Sequence, residues 1–208
     1  MRAFVNNWHY VSLVLAVITV VLVVVLPFDA TQSCILAAIA ILFLHFFEEF
    51  GFPGGFPLVG IKVLMGSDDM DKHNWHCNNL SSLFGNWGFL LAIYVLALLL
   101  PGVRFLTLSA MMFLFAEVLM HFVIFPARLR WVYNPGMVST LGLLVVGLVY
   151  FLNVFDPTMF VWYEYVLAVV WFVAVFLFCF RSKLYWTLGD KPGFELSDRS
   201  AFGMKMPK

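Results

Sequence analysis

The sequence predicts an all-α polytopic membrane protein, a bundle of six transmembrane helices with both termini in the cytoplasm. The first observation is composition: the 208 residues are 63% hydrophobic and only 12% charged. An ordinary soluble domain is about 45–50% apolar and about 25% charged, and a soluble fold of this size cannot bury so much apolar surface. Because 12 Lys and Arg balance 12 Asp and Glu, the chain also lacks the excess of basic residues typical of a nucleic-acid binder. The composition excludes both of those classes.

The second observation is a series of apolar stretches. A transmembrane helix needs about 20 predominantly apolar residues. Stretches of that kind occur at residues 9–27, 33–52, 82–100, 105–125, 137–155 and 159–180. Prolines, glycines and aspartates punctuate the short connections at 27–29, 101–102 and 156–157. We therefore expect antiparallel helices in one domain, residues 1–183, with a site-bearing core at about 35–150 and a cytoplasmic tail at 184–208.

The third observation is the distribution of basic residues. If the N-terminus is cytoplasmic, eleven of the twelve lysines and arginines fall inside and only Arg104 falls outside. The positive-inside rule favours this orientation. It also supports an even number of helices, because a missed helix would scatter these charges over both faces. We expect a multi-pass protein of the cytoplasmic membrane, with the lipid bilayer as its first partner and no nucleic-acid partner.

Ionisable side chains within membrane spans are costly, rare and usually functional. The second predicted helix contains His45, Glu48 and Glu49, and the fourth contains Glu117 and His121. Both helices run inward, so both histidines lie about five residues from the cytoplasmic end, about 7 Å at 1.5 Å per residue. The spacings i,i+3 and i,i+4 place partners on one side of each helix. The pattern predicts a single site near the cytoplasmic leaflet.

Facing helices that each offer a histidine and a carboxylate are a known way to build a metal site in a bundle. Imidazole and carboxylate ligands suit zinc, iron or manganese, and we expect zinc or iron. The run His-x-x-Glu-Glu is similar to the inverted zinc-protease pattern His-x-x-Glu-His, with Glu49 in place of the second histidine. The predicted ligands are therefore His45, Glu49, Glu117 and His121. Glu48 is the predicted catalytic acid/base. Because adjacent glutamates on a helix diverge by about 100°, the alternative is that one of Glu48 and Glu49 only supports the site or faces a neighbouring helix.

Further polar residues fall near the same end of the bundle and are candidates for supporting the site or lining its mouth. They are His73, His76, Asn79, Asn86 and Asn134. For the two loop histidines, an ordinary surface position is the alternative.

The leading functional hypothesis is a metal-dependent membrane enzyme, either a hydrolase or similar to an oxidoreductase, that acts on an amphipathic, lipid-like or otherwise hydrophobic substrate. One alternative is a metal-free isomerase or hydrolase that uses buried glutamates near histidines for acid/base chemistry on a lipid. Another is a membrane carrier or partner-binding protein that is not an enzyme, in which the polar residues only hold helices together. The apolar outer halves of the second to fourth helices disfavour a carrier.

Several stretches also resemble a known family. His45-Phe-Phe-Glu48-Glu49, followed by Phe52-Pro-Gly-Gly-Phe56, resembles the family of small bacterial membrane proteins named for an HXXEE motif. Glu117-x-x-x-His121 and Tyr133-Asn134-Pro135-Gly136 are similar to other stretches of that family. The resemblance covers about residues 35–150 and implies a bacterial inner-membrane protein whose polar motifs form an active or metal site. It implies no substrate, because the family's function is unknown.

Overall fold

The protein is all-helical, as predicted. The computed structural model describes residues 1–203 and contains no strand among them. Its helices are α1 (Arg2–Asn6), α2 (Trp8–Val25), α3 (Ala30–Phe50), α4 (Phe56–Val59), α5 (Asn79–Leu99), α6 (Arg104–Leu129), α7 (Met137–Asn153), α8 (Trp162–Arg181), α9 (Lys183–Gly189) and α10 (Asp198–Phe202). Three π-helical turns occur, at Gly60–Leu64 after α4, at Leu91–Val95 within α5 and at Met120–Ile124 within α6.

Each of the six predicted stretches forms a helix. Within residues 1–203, five helical segments are long and apolar enough to cross a membrane: α2, α3, α5, α6 and the segment Trp162–Gly189, which comprises α8 and α9. The sixth, α7, has only 17 residues. It begins at Met137, as predicted, directly after Gly136, which has a left-handed φ of 94°, and it ends two residues before the predicted bound.

The bundle is arranged around α3, most of whose surface is buried. Helix α2 packs on one side of α3 and α7 on the other, while α6 packs against α7, α8 against α6, and α5 against α8. Trp8 of α2 fixes the first contact, with its ring 5.8 Å from Phe46 and 5.0 Å from Phe50 between centroids. The valines and leucines exposed along α2 and α8 form the apolar outer surface expected of helices that face lipid.

The segment between α3 and α5 folds back into the bundle. Helix α4 is buried at Pro57, Leu58 and Val59, so it lies beneath the surface and covers the end of α3. The preceding Gly55 donates its N–H to the Ser200 carbonyl at 3.0 Å, which links this segment to α10.

The C-terminal segment is fixed to the same end of the bundle by side chains that bond to its backbone. Asn78 caps α5 and donates to the carbonyls of Leu188 and Gly189 at 2.9 and 2.8 Å. Lys72 Nζ lies 2.7 Å from Asp198 Oδ1, and this hydrogen bond and positive charge lower the pKa of the Asp198 carboxyl. Residues 204–208 of the predicted tail, with Lys205 and Lys208, lie outside the described residues.

Topology can be tested with single cysteines in a variant that lacks the three native ones. The connection 66–78 and the C-terminal segment lie at one end of the bundle, and the connections at 100–103 and 154–161 lie at the other. The distribution of basic residues predicts that the first end is cytoplasmic. We expect cysteines at Asp68 and Lys191 to react with an impermeant maleimide only from the cytoplasmic side, and cysteines at Gly102 and Thr158 only from the opposite side. Labelling of the first two positions from different sides would contradict the six-helix topology.

Candidate functional site: a buried histidine–glutamate cluster

Two histidines and two glutamates meet in the interior between α3 and α6. Helix α3 supplies His45 and Glu49, and α6 supplies Glu117 and His121. His45 Nε2 lies 3.3 Å from Glu49 Oε1 and 3.7 Å from Glu117 Oε2. His121 Nε2 lies 3.2 Å from Glu117 Oε2 and 3.7 Å from Glu49 Oε1. The structure thus brings together all four residues that the sequence predicted as ligands.

Local structure holds the ring of His121 in place. The residue lies in the π-helical turn of α6, a distortion that frequently occurs at functional sites. Phe56 stacks on its imidazole with centroids 6.0 Å apart, and Phe125 meets it edge-on at 5.1 Å. The ring is buried, with only 1% of the residue exposed.

Asn134 determines which nitrogen of His121 carries the proton. Its Oδ1 lies 2.6 Å from His121 Nδ1, while its Nδ2 donates to the His121 carbonyl at 2.8 Å. An amide oxygen only accepts hydrogen bonds, so Nδ1 of His121 is the donor. In the neutral imidazole the lone pair is then on Nε2, directed at the glutamates.

Ser139 gives His45 the same tautomer. Its Oγ lies 3.0 Å from His45 Nδ1 and donates its own proton to Glu48 Oε2 at 2.6 Å. Because that proton is already used, the Ser139 oxygen accepts from Nδ1–H of His45. The Nε2 lone pair of His45 therefore also points into the cluster.

Glu48 does not join the cluster, in contrast to what its predicted catalytic role requires. Its carboxylate lies at the N-terminus of α7, where it accepts from the N–H groups of Val138 and Ser139 at 3.1 and 2.8 Å, and from Tyr133 Oη at 2.9 Å. Adjacent glutamates on a helix diverge by about 100°, which is why Glu49 faces the histidines and Glu48 faces α7. A carboxylate at a helix N-terminus is also stabilised by the helix dipole.

Tyr133 is well suited to donate to that carboxylate. Partial burial and the neighbouring negative charge of Glu48 raise the pKa of the Tyr133 phenol, so this group keeps its proton through the physiological range.

The chain around this cluster has relatives that share its motif. A family model described as a protein of unknown function with an HXXEE motif matches residues 36–151, more than half of the chain. The chain belongs to this HXXEE family. No curated protein and no solved structure matches the chain.

The part matched by the HXXEE family contains the whole cluster and its supporting residues. The motif itself supplies His45 and Glu49 to the site and Glu48 to the end of α7. The turn Tyr133–Gly136 and Ser139 fall in the same matched part. Helix α8 lies outside it, although it helps to enclose the cavity described next.

A cavity of about 700 Å³ connects the cluster with the surface, a volume typical of small-molecule sites. All four residues of the cluster contribute to its wall. Among the residues predicted to support the site, Asn86 and His76 also line it. His76 lies at the mouth and pairs with Asp190 at 2.6 Å.

The remaining supporting predictions have different outcomes. Asn134 lies behind His121, as a supporting residue should. Asn79 is buried but donates to the Glu195 carbonyl at 2.9 Å, so it holds the C-terminal segment and does not line the cavity. His73 is exposed in the loop before α5 and also lies outside the cavity wall.

Three residues of the cluster could hold a metal ion. The nearest ligand atoms of His45, Glu117 and His121 all lie within 4.8 Å of one another. Within residues 1–203, His121 Nε2 is buried without a hydrogen-bond partner, although Glu117 Oε2 is close. A neutral imidazole lone pair facing a carboxylate is repulsive, and either a cation between them or a second proton on the ring removes that repulsion.

Sequence reasoning missed two residues on which this geometry depends. Ser139 was overlooked because a serine in the first turn of a helix is common and carries no signal of its own. In the sequence Gly136 is only the last residue of the stretch Tyr133–Gly136, yet a Cβ there would lie 2.4 Å from His121 Cε1 and 2.6 Å from His45 Cε1. The backbone of this turn therefore packs directly on both imidazoles.

Replacing Gly136 by alanine should destabilise the protein through the site. A left-handed φ costs a non-glycine residue about 1–2 kcal/mol, and forcing a methyl group into a filled space adds about 1–3 kcal/mol. Gly66 is the matched control, since it also has a positive φ, of 64°, but open space around its Cα. We expect the free energy of unfolding in detergent to fall further for Gly136→Ala than for Gly66→Ala by about that second amount. Equal losses would mean that the close contact with the imidazoles is not present.

Proposed function

We propose that this HXXEE protein is a metal-dependent membrane hydrolase whose site opens toward the cytoplasmic leaflet and whose substrate is hydrophobic or amphipathic. The observation that carries the proposal is the convergence of two imidazole Nε2 atoms with two carboxylates, while both Nδ1 atoms are already engaged by Ser139 and Asn134. Histidines that bind metal ions usually donate their second N–H in this way.

We assign His45, Glu117 and His121 as the protein ligands. Two histidines and one glutamate, with a further position left for water or substrate, are a ligand set of catalytic zinc sites. The same donors also suit iron. A divalent ion held there would act as a Lewis acid toward water and toward a substrate oxygen.

We assign Glu49, and not Glu48, as the acid/base residue. Its carboxylate is buried beside both histidines and lines the cavity, whereas the oxygens of Glu48 are occupied by donors from α7 and Tyr133. In a hydrolysis, Glu49 takes one proton from the attacking water as the oxygen bonds to the substrate's carbonyl or phosphoryl centre. The bond to the leaving group breaks, and the same proton passes to that group.

Glu48 and Ser139 are positioning residues in this proposal. The chain of contacts from Glu48 through Ser139 to His45 Nδ1 fixes the ring's rotation and its tautomer. The same contacts link the start of α7 to the cluster. One set of hydrogen bonds therefore holds both His45 and the turn at Gly136, which packs on the imidazoles.

Metal-free acid/base catalysis is the second candidate function. The separations of 3.2 and 3.3 Å between imidazole Nε2 and carboxylate oxygen also suit ion pairs between protonated histidines and ionised glutamates. In that case the buried pairs themselves would exchange protons with the substrate. Metal analysis separates the two functions.

Removing a histidine ligand should remove the metal. Purified without chelators and offered zinc, iron or manganese, the wild-type protein should hold about one ion per chain, and His45→Ala and His121→Ala should each lose it. His73→Ala is the matched control, because that histidine is exposed and outside the cavity wall. Metal content is measured by plasma mass spectrometry. If the wild-type protein holds none of the three metals, the metal-dependent function is overturned and the metal-free one is left.

The supporting residues and the acid/base residue should respond differently. In a chelator competition, Ser139→Ala should weaken metal binding about 10–100-fold, the usual cost of losing an outer partner of a ligating histidine. Glu117→Gln should lose at least as much affinity, whereas Glu49→Gln should stay near the wild-type affinity.

Hydrolysis is measured by mass spectrometry of a membrane lipid extract incubated with the metal-loaded protein. New products with the wild-type protein and none with Glu49→Gln are the expected result. Equal losses of metal in both glutamate variants would contradict the separate roles that we assign to Glu117 and Glu49.

A further inference from the structure

One wall of the cavity consists of aromatic rings from α5, α6 and α8. Phe89, Phe113 and Phe172 contact one another, with centroids 4.6 Å apart for the first two and 5.9 Å for the last two. Phe176 and Phe180 continue this wall along α8, 5.4 Å apart. All five rings line the cavity. Such a surface gains free energy by excluding water, at about 25 cal/mol per Å² of apolar area covered, so its natural occupant is a hydrocarbon chain.

The same cavity reaches the apolar outer surface of the bundle between α6 and α8. Leu119 of α6 and Val173 of α8 both line it, yet they are 51% and 44% exposed on the outside. Since the outer faces of these helices are apolar, this side opening connects the cavity with the region expected to hold lipid tails.

A single arginine stands at the polar end of the cavity. Arg181, at the end of α8, lines it beside Trp186. Its guanidinium contacts Met65 Sδ at 3.0 Å and the Leu64 carbonyl at 3.4 Å. In the part of the chain that the structure describes, no carboxylate pairs with it, whereas Arg104 at the other end of the bundle pairs with Glu164 at 3.1 Å.

Two other titratable groups in the cavity wall, Asp69 and His76, are already engaged. Asp69 accepts hydrogen bonds from Asp71 N–H at 2.8 Å and from the Asn74 amide at 2.9 Å. His76 pairs with Asp190. A half-buried guanidinium without a carboxylate favours an anionic ligand, and its planar donors match the two oxygens of a carboxylate or phosphate.

We infer that the cavity binds an anionic amphiphile, whose hydrocarbon chain enters between Leu119 and Val173 and lies among the phenylalanines, and whose carboxylate or phosphate is held by Arg181. An anionic amphiphile would be the substrate class of the proposed hydrolase. Only its hydrolysis rests on the proposed function. Binding itself needs no metal ion. Arg181 is thus a specificity residue, separate from the ligands and from Glu49.

The test is competition binding to the full chain in nanodiscs of neutral phosphatidylcholine, with radiolabelled dodecanoate and with chelator present throughout. We expect dodecanoate and dodecyl phosphate to bind at least 10-fold more tightly than dodecanol. Arg181→Gln should remove that difference and leave dodecanol binding unchanged, which also shows that the variant is folded. Lys183→Gln is the matched control, because Lys183 is exposed and does not line the cavity. If both anions bind more tightly than dodecanol, the cavity recognises the negative charge. If only one of them does, the cavity recognises that head group, carboxylate or phosphate.

The side opening is tested by rates in the same system. Val173→Trp should slow the loading of dodecanoate several-fold, whereas Val170→Trp, an exposed position on α8 that does not line the cavity, should leave the rate unchanged. Equal binding of dodecanol and dodecanoate, or an unchanged preference in Arg181→Gln, would overturn the inference even if the protein binds metal. Anionic selectivity in a protein that binds no metal would overturn the proposed hydrolase alone.

Discussion

The structure depends on the cost of placing two imidazoles and two carboxylates inside an apolar bundle. Polar groups buried without partners are expensive, and charged ones more so. Here each imidazole has one nitrogen engaged by a neutral partner on the far side and the other facing carboxylates. These requirements connect α3 and α6 to the beginning of α7, so the cluster and the packing of three helices are a single arrangement.

Two features that look irregular follow from that arrangement. Helix α7 begins directly after a left-handed turn, because at Gly136 only a residue without a Cβ fits against the two imidazoles. The π-helical turn of α6 carries His121, and the extra residue in that turn changes which side chains face α3. Both irregularities lie in the part of the chain matched by the HXXEE family, although neither is part of the motif for which the family is named.

The two glutamates of that motif illustrate how adjacent identical residues acquire different tasks. One is buried with the histidines in the cavity wall, and the other fixes the N-terminus of α7 and, through Ser139, the orientation of His45. The two carboxylates have different partners, the imidazoles of His45 and His121 in one case and the N–H groups at the start of α7 in the other. The motif is therefore both a part of the site and a structural connection.

The sequence by itself determined the helical membrane fold, the approximate bounds of all six apolar helices and the four residues of the cluster. Composition and the lengths of the apolar stretches determine the fold and the helix bounds. Ionisable residues at one depth, with helical spacing, determine the residues of the cluster. Only the tertiary structure decided the separate task of Glu48, the part played by Ser139 and Gly136, and the attachment of Asn79 to the C-terminal segment. These three features depend on the rotation of each helix about its axis and on the backbone turns between helices. Hydrophobicity and spacing constrain both only weakly, because a bundle can bury an apolar helix in many orientations.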